Sequence, residues 1–95
     1  MPSIVHPGRF LRRELAARKL SVDKLSIDIG VSSGRITDIL SGRRSITADT
    51  ALRLGRYFGN RSQFWLGLQS QFDIATVERE KVKEIAKRAR LVDEV

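Results

Sequence analysis

The chain has 95 residues, 41% hydrophobic and 31% charged, with 18 Lys/Arg against 11 Asp/Glu and a net charge of +7. That fits one small domain with a modest core, the kind that gains from self-association. The absence of cysteine excludes a disulfide framework and a thiolate metal site, and the short apolar runs exclude a membrane-spanning helix.

The N-terminal MPSIVHPGRF has no long apolar stretch of the kind a secretory signal needs. Charge is unevenly spread. Residues 1–61 hold 12 Lys/Arg and 5 Asp/Glu, whereas residues 62–95 hold 6 of each, so the whole excess lies in the first two thirds. A basic part beside a neutral one predicts a polyanion-binding unit joined to a segment with another task. β-branched residues never alternate over a useful length, whereas helix start and stop signals recur.

The first helix is predicted from about Pro7 to Lys19, with proline in its first turn and Leu11 and Leu15 on one face. His6, at its start, reads as a capping or surface residue. Ser21 is a good N-cap for a second helix carrying Val22, Leu25 and Ile29, and Gly30 stops it. A third helix begins after Ser32, turns Ile36, Ile39 and Leu40 inward, and ends at Gly42. The fourth follows Thr47, with Ala51, Leu52, Leu54, Tyr57 and Phe58 as apolar contacts, and ends at Gly59-Asn60. The fifth follows Ser62 and carries Phe64, Trp65, Leu68 and Phe72. Beyond Ile74 the pattern thins to Val82, Ile85, Ala89 and Val92 among many charges, which fits either a sixth helix or an extension of the fifth.

Helices two and three, joined by Gly30-Val31-Ser32, have the helix-turn-helix design. Ser26 is small, as a close helix crossing requires. The outward positions of the third helix are Ser33, Gly34, Arg35, Thr37 and Asp38, small enough at its N-terminal end to enter a major groove. Arg43 and Arg44 follow where a loop would meet the phosphate backbone. Gly34 costs about 1 kcal/mol against alanine inside a helix, so it reads either as close backbone approach to DNA or as a surface position near a helix start. Asp38 would repel phosphate, but it can accept a hydrogen bond from a cytosine amino group. The aromatic stripe of the fifth helix serves a core, a dimer seam, or both, with Phe64 and Leu68 inward and Trp65 or Phe72 shared between subunits.

HPGRFLRREL at 6–15, the helix-turn-helix at 21–42, and SGRRSITADTALRLGRYFGNRSQFWLGLQSQFD at 41–73 resemble the HigA (VapI-type) antitoxins. These belong to the lambda-repressor-like, XRE-type helix-turn-helix proteins. The most specific pieces are the HPG start, ITADTALRL and FWLGLQSQFD. The resemblance implies an all-α, five-helix fold and a homodimer that binds double-stranded operator DNA at its own promoter. It also implies neutralisation of a HigB-like toxin, an RelE-like ribonuclease that cuts messenger RNA at the ribosome. By position, Ser33, Gly34, Thr37 and Asp38 fall where such proteins read bases. Ser32, Arg35, Arg43, Arg44 and Thr47 fall where they touch phosphates, and Phe64, Trp65, Leu68 and Phe72 fall in the helix 5 seam. Val22 stands where the family usually has a phosphate-binding glutamine.

The expected organisation is a DNA-binding and dimerisation domain over residues 1–73 and a charged helical extension over 74–95, in a bacterial, nucleoid-associated, cytoplasmic protein. The same fold without a toxin partner would be a free-standing phage-type repressor. The basic face of helix 1 (Arg9, Arg12, Arg13) and the charged C-terminal stripe are both candidates for the toxin surface. No catalytic set is visible. The single histidine has no nucleophile–acid pair placed with it, and neither a phosphate-binding GxxxxGK[ST] nor a metal-ligand spacing is present. The expectation is a protein that is not an enzyme and needs no cofactor, metal, membrane or small-molecule substrate.

Overall fold

The structure is a computed structural model, and it describes residues 5–92. Among these residues it contains five helices and no strand: α1 (Pro7–Ala17), α2 (Val22–Ile29), α3 (Ser33–Leu40), α4 (Ala48–Phe58) and α5 (Ser62–Arg88). Each of the first four starts on a side-chain cap. His6 Nδ1 accepts from the Gly8 N–H at 3.0 Å. Ser21 Oγ accepts from Lys24 N–H and Ser32 Oγ from Arg35 N–H, and Thr47 Oγ1 accepts from Thr50 N–H. These bonds satisfy amides that a helix start leaves unpaired.

The core lies where α1, α2, α3 and α4 meet the first turns of α5. Leu11, Leu25, Ile36, Ile39, Ala51, Leu54 and Trp65 have no exposed surface, and Leu15, Ile29 and Ile46 are nearly closed off. The start of α1 lies directly on the backbone of α3, because a Cβ at Gly8 would overlap the Ile39 carbonyl. Glycine is therefore required there by close approach. Ser26 is buried in the α2–α3 crossing, its hydroxyl donating to the Asp23 carbonyl at 2.8 Å.

Several expectations change. α1 ends at Ala17, not Lys19, through a Schellman closure in which Lys19 takes the left-handed position (φ 53). Lys19 N–H donates to the Ala16 carbonyl and Leu20 N–H to the Leu15 carbonyl. α5 starts one residue early: Arg61 holds the cap position and Ser62 is already helical, its hydroxyl turned to Gln63. α5 then runs unbroken to Arg88, so the C-terminal stripe extends the fifth helix and is not a sixth. Leu52 faces outward at 63% exposure.

The aromatic stripe is rotated relative to expectation. Trp65 has no exposed surface and cannot be shared with a second subunit, while Phe64 is 38% exposed. The physical reason is the α4–α5 turn. Asn60 Oδ1 accepts from the indole N–H at 2.8 Å, so the indole enters the core with its polar atom satisfied. There it meets Phe10, Phe58 and Phe64 at centroid distances of 5.4 to 5.9 Å.

Candidate nucleic-acid interface

The turn between α2 and α3 pivots on Gly30, whose φ of 74 lies in the left-handed region that favours glycine. Its geometry is held from α4 by Arg53, to which the sequence reading assigned no role, and by Tyr57, which was expected only as an apolar contact. Arg53 Nη1 donates to the carbonyls of Ile29 (2.7 Å) and Gly30 (3.2 Å), covering the open C-terminus of α2. Its Nε donates to Asp49, and that guanidinium holds the Asp49 carboxyl below the usual carboxylate range. Tyr57 Oη donates to Asp28 at 2.7 Å, which with Lys24 holds the Asp28 carboxyl low and pushes the Tyr57 phenol up. ITADTALRLGRYFG carries both residues. The signal available in the sequence was Arg53 at i+4 from Asp49, on the same helix face.

Of the residues assigned to base reading, Ser33, Gly34 and Thr37 are exposed and Asp38 is half-buried. Ser33 and Thr37, like Gly34 and Asp38, are four apart and share one face of α3. A Cβ at Gly34 would meet only the Ser32 hydroxyl, at 4.0 Å. Nothing within the chain requires glycine there. Among the residues assigned to phosphates, Arg35, Arg44 and Thr47 line one shallow cleft with Ser45, Asp49 and Thr50. Ser32 and Thr47 use their side-chain oxygens as caps of α3 and α4. Arg43 is exposed on the α3–α4 loop.

Asp38 organises that loop. Its carboxylate lies 3.4 Å from Arg43 Nη2 and 3.6 Å from Arg44 Nη2. Its carbonyl accepts from both arginine amides, at 2.9 and 3.2 Å, and from the Ser41 hydroxyl at 3.1 Å. Val22 is half-buried against the core, an apolar side chain with no hydrogen bond to offer a phosphate.

A second surface lies between α1 and α5. Phe10, Leu68, Phe72 and Ala75 floor a groove edged by Arg9, Arg13 and Gln71. His6 lies at one end, edge-on to Phe72 at 4.9 Å. Burial pushes the imidazole pKa down, opposed by the Asp73 carboxylate and by a hydrogen bond at the Arg44 backbone. Phe64, Leu68 and Phe72 thus keep exposed area on the α1 side, and Trp65 does not.

A helix-turn-helix family model matches residues 11–65. Virulence-associated protein I of Dichelobacter nodosus is 48% identical over 82 residues, which is 85% of this chain and 75% of that protein. The structure of an addiction module antidote protein of a HigA family from Coxiella burnetii is 41% identical with a TM-score of 0.89, over 95% of this chain and 99% of that one. The chain belongs to the HigA group of helix-turn-helix proteins. Another member, the Pseudomonas aeruginosa antitoxin HigA solved with the higBA promoter, is 37% identical with a TM-score of 0.89, over 95% of this chain and 99% of that one. The family match spans the α2–α3 unit and the two α4 residues that hold it.

Proposed function

We propose that the chain is a homodimeric antitoxin that inserts α3 into operator DNA to repress its own operon and neutralises a HigB-type, mRNA-cleaving toxin. One observation carries the DNA-binding part. The small, exposed face of α3 (Ser33, Gly34, Thr37) sits beside a cationic loop and a cleft where Arg35, Arg44 and Thr47 converge. Ser33, Gly34, Thr37 and Asp38 read base edges, while Ser32, Arg35, Arg43, Arg44 and Thr47 fix the register on phosphates. That a Pseudomonas aeruginosa relative was solved with the higBA promoter supports the DNA-binding reading.

One α3 reads few base pairs, so two copies related by a twofold axis engage half-sites about 34–36 Å apart. Phe64, Leu68 and Phe72 form the seam between them. Residues 1–73 supply binding and dimerisation, residues 74–95 extend α5, and the protein works in the bacterial cytoplasm on the nucleoid.

The test is a salt titration of binding to a palindromic fragment from the upstream region. The logarithm of affinity should fall linearly with the logarithm of salt, with a slope of about −0.9 per phosphate neutralised. Arg44→Ala should weaken all sequences alike, and Thr37→Ala should change the preference among them. A flat salt response overturns the DNA reading. Co-expression with an RelE-like toxin encoded beside it should relieve growth arrest. If no such toxin is encoded there, the antitoxin reading gives way to a free-standing repressor.

A further inference from the structure

The backbone of the α3–α4 loop is tied down up to Arg44 and again from Thr50, whose N–H the Thr47 hydroxyl accepts. Gly42, Arg43 and Arg44 donate their amides to the Ile39 and Asp38 carbonyls, and Ala51 donates to Thr47. Between them, Ser45 and Ile46 are gripped by a side chain 24 and 23 residues away, respectively. Gln69 of α5 is only 5% exposed. Its Oε1 accepts from the Ile46 N–H at 2.8 Å, and its Nε2 donates to Ser45 Oγ at 3.3 Å and to Asp73 Oδ1 at 2.9 Å.

Both protons of that amide are therefore in use, and Asp73, one turn further along α5, fixes which way the amide faces. The two residues it holds lie between Arg43-Arg44 on one side and Thr47 on the other. We propose that Gln69 is a positioning residue for phosphate binding: from α5 it sets where Arg43, Arg44 and Thr47 stand relative to α3. This rests on the DNA-binding reading above.

The geometry gives the role its content. Ile46 is itself buried, so its side chain anchors the loop's depth. An anchored side chain still leaves the backbone free to rotate about it, and the Gln69–Ile46 bond removes that rotation. A contact displaced by about 1 Å loses most of a charge-assisted hydrogen bond. Gln69 also neighbours Leu68 on the helix that carries the dimer seam, so the same helix places the subunit pair and the phosphate loop.

The test uses Gln69→Met, which keeps volume and removes the amide. Asp73→Ala at an exposed position serves as a second variant that frees the amide to turn without threatening the core. Hydrogen exchange of the Ile46 amide is read without DNA, and operator binding is read across salt well below the melting temperature. Gln69→Met should lose protection at Ile46 while α1–α4 core amides keep theirs. Operator affinity should fall on the order of tenfold, with a salt slope shallower by about one phosphate and an unchanged ranking of operator sequences. Asp73→Ala should move both readouts the same way by less, and it carries the test if Gln69→Met does not fold.

A variant that merely melts earlier but binds with the native affinity and slope overturns the proposal and leaves Gln69 a satisfied core amide. Native-like exchange at Ile46 in the variants also overturns it, even if the wild type fails to bind DNA. That last failure would count against the DNA-binding reading alone.

Discussion

Asp38 holds two positions that compete. Its carboxylate sits between Arg43 and Arg44 in the free protein, and it stands on the face of α3 proposed above to read bases. Each ion pair is partly exposed and so worth little to stability, but together they withhold cationic charge from phosphate. Asp38→Ala should bind unrelated DNA up to about tenfold more tightly, with a salt slope steeper by about one unit, and should lose discrimination at one operator position. Competition binding with cognate and scrambled duplexes measures both.

His6 makes a separate, pH-dependent contribution. As the α1 cap its Nδ1 must be unprotonated to accept from Gly8, and burial lowers its folded pKa. The groups facing it are Asp73 on α5 and the Arg44 backbone, with Arg9 on its own helix edging the same groove. A folded pKa below the unfolded value of about 6.5 means stability is full above that pH and is lost as pH falls through it towards the folded value. Thermal melts between pH 8 and 5 should show the loss, and His6→Asn, which keeps a capping acceptor, should flatten it. Lys19 illustrates what local signals miss. Its left-handed φ closes α1 with no glycine to announce it, so Lys19→Gly should stabilise by about 1 kcal/mol. The melting temperature should rise by roughly 4–8 °C.

At the scale of elements, the starts of α2, α3 and α4 were legible because their causes are local. Ser21, Ser32 and Thr47 cap from the residue before each helix, and Gly30, Gly42 and Gly59 all take positive φ where the chain leaves one. Which face α5 buries was not legible. It depends on the Asn60 carbonyl meeting the Trp65 indole and on where α1 crosses, neither of which is written in the spacing of the aromatics. The loop behind α3 was hidden for the same reason, since its anchor Gln69 lies 23 residues beyond Ile46 and meets it only after the chain folds back. Phe64→Lys and Leu68→Asp should therefore separate the dimer while leaving the helical signal intact. Trp65→Ala should cost about 3–5 kcal/mol and lower the melting point of the protomer itself. Sedimentation and circular dichroism on the same samples distinguish the two outcomes.

The described residues together span 55 × 22 × 21 Å, and α5 is what gives them that length. Up to Thr76 the helix keeps a half-buried face, and from Val77 onward every described residue is exposed. Roughly twelve helical residues, about 18 Å at 1.5 Å each, project past the packed body. A helix of that length held only by its own hydrogen bonds is marginal in water. Arg79, Lys81, Lys83, Lys87 and Arg88 punctuate it. Trypsin acting on the lone protomer should nick this spike at successive sites, giving a ladder of fragments that halts at the compact body. A complex in which the spike is clasped should instead survive digestion intact, so the length of the resistant product reports whether that end of the molecule has company.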